Sequence, residues 1–165
     1  MSSFELAQVN IALPLAPPDS PLLADFMNAL DYVNGLAEKS SGFVWRLQSE
    51  EGNATAFRPY GDDTLINLSV WKDVNALNNF VYKNPEHIAY MKRRREWFTH
   101  MKEAYMVLWW VPQGHRPTQA EAVARLAVLR AKGPTPNAFT FKQAFGAPDA
   151  KHPGNPFVFG DICPA

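Results

Sequence analysis

The chain has 165 residues, 47% of them hydrophobic and 19% charged, a balance that fits one soluble globular domain and excludes an intrinsically disordered chain. Its 16 basic and 16 acidic residues cancel, so no overall field draws it to nucleic acid or an anionic membrane. The lone cysteine, Cys163, excludes an internal disulfide and a thiol-rich metal centre.

No stretch approaches the ~20 apolar residues that span a bilayer. The first six residues lack a basic region followed by an apolar core, so no secretory signal is expected and a cytoplasmic location is the default. Residues 4–13 read as a strand, with Val9, Ile11 and Leu13 alternating with Gln8, Asn10 and Ala12. Pro14, Pro17 and Pro18 end it. Ser20 is placed to cap a helix with Pro21 in its first turn. Leu23, Phe26, Met27, Leu30, Val33 and Ala37 form the apolar stripe of that helix, and Asn34 intrudes on it. Residues 42–49 read as a strand, with Phe43, Trp45 and Leu47 opposite Val44, Arg46 and Gln48. Residues 50–63 are a polar loop with turn signals at Gly52-Asn53 and Gly61-Asp62, and with room for a short strand at 55–57. Residues 65–71 form the next strand, Ile66, Leu68 and Val70 alternating with Asn67, Ser69 and Trp71. Asp73 caps a short helix that carries Leu77, Phe80 and Val81.

Asn84 and Pro85 then open a helix expected to run to residue 98. At about 100° per residue, His87, Met91, Arg94 and Phe98 fall within roughly 60° of one another. Met91 and Phe98 mark this face as buried. His87 and Arg94 on it need partners, because an unpaired buried charge is costly. Either the core satisfies them or they line a pocket. Lys92 and Arg93 belong to the solvated side. Residues 105–111 form a strongly apolar strand, and Thr118 opens a last helix with a capping box closed by Glu121. Val123, Leu126 and Leu129 give that helix its stripe, and Gly133-Pro134 stops it. Phe139 to Phe141 could pair as a short strand. Residues 147–165, rich in proline and glycine, read as an extended tail that docks through Phe157, Val158 and Phe159.

The order β-α-β-β-α-β predicts an α+β, ferredoxin-like domain over residues 1–146. Its antiparallel sheet would carry both helices on one face and have an appended C-terminal helix. The other face holds large apolar residues, among them one of Trp109 and Trp110. A second copy related by a two-fold axis would cover it, so a homodimer of the dimeric α/β-barrel type is expected.

Among candidate site residues, His87 suits a general base or a haem ligand, since imidazole titrates near neutrality. Its place in a first helical turn favours the neutral form. Arg94 suits a carboxylate, phenolate or propionate. Asn10, Arg46, Gln48, Asn67 and Ser69 are polar positions on largely buried strands. They line the same cavity or form an interfacial network, depending on the face they occupy. Trp71, Phe80, Tyr90, Met91 and Phe98 would wall such a cavity. His115-Arg116-Pro117 reads as a turn that pins a strand end. No pair of histidines is close enough in sequence for a zinc site, so no structural metal is expected. No phosphate loop, nucleophile elbow or dinucleotide fingerprint occurs either.

Five blocks carry a family resemblance: Ala7-Gln8-Val9-Asn10-Ile11-Ala12, Gly42-Phe43-Val44-Trp45-Arg46-Leu47, Asn67-Leu68-Ser69-Val70-Trp71, Arg93-Arg94-Arg95-Glu96-Trp97-Phe98 and residues 109–117. Together they resemble the family catalogued as domain of unknown function 3291, from about residue 4 to residue 142. More widely, the element order and Val70-Trp71-Lys72 are similar to dimeric α/β-barrel proteins. These include antibiotic-biosynthesis monooxygenases, which oxidise aromatic polyketides without a cofactor, and haem-binding and haem-degrading relatives. That resemblance places Asn10 and His87 near a bound ligand. Phe80 stands where the haem-degrading proteins have tryptophan, and His87 comes about one turn early. These departures count against haem degradation and leave a pocket between helices and sheet intact.

The resemblance implies an enzyme of natural-product biosynthesis acting on an aromatic, polyketide-like or terpenoid-like substrate, cofactor-free or haem-assisted. His87, Arg94 and Asn10 would be its catalytic residues. The alternatives are a non-catalytic ligand- or haem-binding dimer, or a pocket that steers a pericyclic or isomerisation step.

Overall fold

Period-two alternation builds a four-stranded antiparallel sheet in the computed structural model, which describes residues 2–152, 154, 156 and 157. The strands are β1 (Phe4–Ala12), β2 (Phe43–Arg46), β3 (Leu65–Trp71) and β4 (Met106–Pro112), in the spatial order β2-β3-β1-β4. Between them run α1 (Ala24–Glu38), α2 (Val74–Lys83), α3 (Pro85–Lys92) and α4 (Arg94–Trp97), and α5 (Gln119–Lys132) follows β4. This is the ferredoxin-like βαββαβ arrangement with one added helix. Among the described residues, no helix is long and apolar enough to cross a membrane.

Strand alternation sorts the side chains between two layers. Leu6, Trp71 and Leu108 pack with Phe80 of α2 and with Val33 and Leu36 of α1. Ala12 and Leu65, further along the same face, pack with Phe26, Trp97 and Phe98. The opposite face presents Val9, Ile11, Ile66, Leu68, Val70, Val107 and Trp109. That face is not bare, as the sequence had implied. Ala122, Leu126 and Leu129 of α5 pack into this same cluster. The apolar stripe of the appended helix therefore covers surface that the sequence assigned to a second copy.

Several elements depart from their expected form. Ser20 makes no cap bond, and Pro21–Leu23 form a 3₁₀ turn before α1 begins at Ala24. A β-bulge lies between Phe43 and Trp45, which pair with Trp71 and Val70. It breaks the alternation, because two residues on one strand then oppose one on the other. Val44 and Trp45 both join the cluster under α5, whereas Phe43 packs on the α1–α2 side. The loop at 55–57 holds turns, not a strand. The short strand at Phe139 reduces to one bridge, with Phe139 and Leu108 exchanging two backbone bonds of 2.8 Å on the outer edge of β4.

The helix expected over 84–98 breaks at Arg93, whose ψ of 0° ends α3 and starts α4. Phe98 then turns extended and bridges to Pro14. Trp97 and Phe98 are both buried. On one straight helix these neighbours would point about 100° apart, so only one could face a narrow core. The break and the extended Phe98 bring both inside. Arg93 anchors the corner through 2.8 Å to Asp25 of α1 and 2.9 Å to Glu96.

The chain beyond α5 docks near the start of β1. The Trp110 indole donates to the Phe145 carbonyl at 2.8 Å, and Asp149 accepts from the Ser2 hydroxyl at 2.9 Å. β5 (Ala144–Phe145) pairs with β6 (Pro156–Phe157). Val158, Phe159 and Cys163 lie outside the described residues.

Gly42 makes the tightest approach between β2 and α2. It sits at φ +83°, and an added Cβ would lie 2.5 Å from the Ala76 Cβ. Its carbonyl also accepts from Lys72 N at 2.7 Å. Gly42→Ala is expected to cost about 1–3 kcal/mol through overpacking and left-handed strain, read as a lower urea midpoint. An unchanged midpoint would mean that α2 moves aside freely.

Candidate active site

The junction of α2 and α3 positions the histidine. The Asn84 side chain accepts from the backbone N–H of Glu86 at 3.0 Å and of His87 at 3.2 Å, and Pro85 fits the first turn. This cap fixes His87 at the start of α3. Its ring lies against Phe80, with centroids 4.6 Å apart. Nδ1 stands 2.8 Å from the Val81 carbonyl. A carbonyl only accepts, so Nδ1 carries the hydrogen and Nε2 keeps its lone pair. Burial pulls the His87 pKa below its usual 6.5, with the Val81 bond opposing. The result is a neutral base with one nitrogen committed and the other available.

His87 lines a partly open cavity of about 190 Å³. α1 contributes Phe26, Ala29, Leu30, Val33 and Asn34, and the 85–98 segment contributes Tyr90, Met91, Arg94, Trp97 and Phe98 as well as His87. The sheet adds Asn10, Ala12, Leu65, Ile66 and Asn67, with Arg46, Leu47 and the loop residues Ala54 and Thr55 at the β2 side. Asn10 and Asn67 are direct cross-strand partners, so their amides stand side by side. Asn67 is exposed and Met91 is 36% exposed, which places the opening near these two.

Among the described residues charge in this cavity is one-sided, for no aspartate or glutamate of theirs lines it. Arg46, only 12% exposed, is matched from outside by Glu38 at 2.8 Å. Arg94 has no carboxylate partner among the described residues. Glu86, which could have paired with it, accepts from the Tyr32 hydroxyl. Asp25 and Glu96 are taken by Arg93. Arg94 instead lies 4.6 Å from the Tyr105 ring centroid and 5.5 Å from that of Phe98. Both rings lie within cation–π reach, and among the described residues the guanidinium N–H groups make no hydrogen bond.

The structure gathers His87, Arg94, Asn10, Arg46, Asn67, Tyr90, Met91 and Phe98 around one space. Four expected residues are not in the lining: Ser69, Trp71, Phe80 and Gln48, the last lying beyond the end of β2. The Trp71 indole donates to the Ser69 hydroxyl at 2.9 Å, and Gln8 donates to the same oxygen at 2.9 Å. Phe80 stacks on Trp71 at 5.3 Å. Ser69, Trp71 and Phe80 thus form the core beside the cavity, behind His87. The sequence reading overlooked Trp97 and Thr55 as wall residues, and it noted Asn34 without assigning it to the site. Asn34 had given a signal, as a polar residue inside an apolar stripe. Thr55 lies in a loop whose path the residue pattern does not specify.

A base of lowered pKa sets a pH expectation. The acid limb of any His87-dependent kcat profile should fall below pH 6.5, the ordinary histidine value. Stability follows the same linkage. The unfolded chain takes the proton first, so stability is lost as pH falls from 6.5 through the folded pKa. Thermal unfolding between pH 8 and pH 5 checks this, and His87→Gln should remove that component.

Among the described residues, no group of three or more histidine, cysteine or acidic side chains is placed to hold a metal. For haem, His87 Nε2 is a chemically suitable ligand. As it stands the partly open cavity of about 190 Å³ encloses about one ring, since about 150 Å³ holds a benzene, and it would have to widen to take a porphyrin.

A family described as domain of unknown function (DUF3291) matches residues 5–155. Similar solved structures include SnoaB, a cofactor-independent oxygenase from Streptomyces nogalater, at 18% identity and TM-score 0.42, over 70% of this chain and 96% of that one. PA3566 from Pseudomonas aeruginosa matches at 10% identity and TM-score 0.46, over 70% of this chain and 98% of that one. Rv0793 from Mycobacterium tuberculosis matches at 14% and 0.44, over 69% and 99%. No curated protein matches. The ferredoxin-like assignment rests on this chain's own strand order and pairing.

Proposed function

For a chain that belongs to the DUF3291 family, we propose a small-molecule enzyme of the monooxygenase-like kind that acts on an aromatic or enolisable substrate. The observation that carries this is His87: a neutral imidazole, its Nδ1–H committed to Val81, lining a cavity that among the described residues has no acidic side chain and an arginine without a carboxylate partner. His87 Nε2 takes a proton from the substrate. Arg94 and the Asn10 amide stabilise the negative charge that develops, and Trp97 and Phe98 keep water from it.

The resulting anion is electron-rich and needs no cofactor to react with dioxygen. For a ring methylene the balance is CH2 plus O2 giving C=O plus H2O, with four electrons leaving carbon and four reducing oxygen. A partly open volume of about 190 Å³ encloses one ring and leaves a second towards the opening, below the size of a polycyclic polyketide.

The probe is 2-tetralone, a two-ring ketone with an acidic methylene. In D2O the protein should speed deuterium entry at that methylene, and in air it should consume one dioxygen per ketone oxidised. Exchange without oxygen uptake would turn the reading towards an isomerase. No acceleration of exchange for this or for smaller phenols and enols, with or without a ring carboxylate, would overturn it.

A further inference from the structure

We propose that the natural substrate of this cavity carries a carboxylate of its own, as a monoanionic aromatic acid of one or two rings. The inference rests on the cavity being the reaction site and names the class of molecule that enters it. The resting protein leaves the Arg94 guanidinium with no ion pair and no hydrogen bond among the described residues, held only against Tyr105 and Phe98. A neutral ligand that displaced water here would strip solvent from that cation and offer nothing in return, which is costly. An anionic ligand supplies the missing partner. Phenols are neutral at pH 7, with an ordinary pKa near 10, so the charge must come from a stronger acid.

The choice between a carboxylate and a dianion such as a phosphate follows from the count of free cations. Arg46, the other arginine of the cavity, already has Glu38 at 2.8 Å. Among the described residues Arg94 is the lining arginine without an ion pair, and one guanidinium fork matches one carboxylate. The rest of the lining suits a flat ring, with Trp97 and Phe98 as walls and, among the described residues, no acidic side chain to repel the charge. Once the carboxylate occupies Arg94, Asn10 remains for an oxyanion formed elsewhere on the ring, and His87 Nε2 for the proton.

Isothermal titration with matched probes tests this. Benzoate and benzamide have nearly the same shape and differ in charge. 2-Naphthoate extends the ring, and phenylphosphonate supplies a second negative charge. Benzoate and 2-naphthoate should bind, benzamide should bind at least tenfold more weakly, and phenylphosphonate should gain nothing over benzoate. Arg94→Gln should weaken benzoate by about tenfold to hundredfold and leave benzamide unchanged. Arg94→Lys, which keeps charge but loses the fork, should fall between, with thermal melts confirming that both variants fold.

Equal binding of benzoate and benzamide in the wild type, or a benzoate affinity indifferent to Arg94→Gln, overturns the carboxylate class and leaves proton abstraction standing. Tighter binding of phenylphosphonate overturns the monoanion. Failure of every probe to bind overturns this inference and counts against the cavity as a site.

Discussion

His87→Ala should lower turnover by about 10²–10⁴-fold, the range contributed by a positioned general base. The stability cost should be small. The variant loses one bond to the Val81 carbonyl and part of a ring contact with Phe80, about 1 kcal/mol for the bond. Substrate affinity should change little, because Arg94 and the aromatic walls remain. The loss should therefore sit in kcat, with KM nearly constant. Added imidazole should restore part of the rate in the alanine variant, since the vacated space opens onto the cavity. His87→Gln keeps a donor for Val81 but has no basic nitrogen, so it should be as inactive as alanine. Turnover within a few-fold of wild type in both variants would remove His87 as the base.

The second large effect falls on the core. Trp71→Ala should destabilise the fold by about 3–5 kcal/mol. Trp71 is 1% exposed, with Phe80 stacked on it at 5.3 Å and Phe43 edge-on at 5.3 Å. Its indole N–H also donates to the buried Ser69 hydroxyl. A domain of this kind has about 5–15 kcal/mol in all, so the loss is a large share. Trp71→Phe keeps the aromatic packing and drops the indole bond, so it should cost about 1 kcal/mol. Urea unfolding separates the two, and benzoate affinity of the folded Trp71→Phe variant should match wild type. A phenylalanine variant that is stable but no longer binds would return Trp71 to the cavity wall.

Strand alternation was the most legible signal in the sequence, and its limits are instructive. It placed Asn67, Ser69 and Trp71 on one face of β3, and they do share it. It said nothing of where along that face the cavity ends. Asn67 reaches the cavity, while Ser69 and Trp71 lie further along, under α2. On β2 the alternation failed at the bulge, for which residues 43–46 contain no glycine or proline as a signal. The helix face of His87, Met91, Arg94 and Phe98 was read from spacing, and all four line the cavity, but Met91 is exposed and not buried as its apolar side chain had implied. The break at Arg93 was not, because it arises from the shared burial of Trp97 and Phe98 and from Asp25, distant in sequence. The second sheet face illustrates a different limit. Its apolar character was readable, but the pattern could not tell a partner's surface from the chain's own α5.

The account turns on the cavity between α1, the 85–98 segment and the sheet being where ligand binds. Methionine-methyl NMR reads this directly, because Met91 lines the cavity whereas Met101 and Met106 pack into the sheet clusters. On titration with benzoate, the Met91 methyl should shift saturably with the Met101 and Met106 methyls unmoved. A saturable shift of Met101 or Met106 with Met91 silent would place the ligand elsewhere and contradict the account.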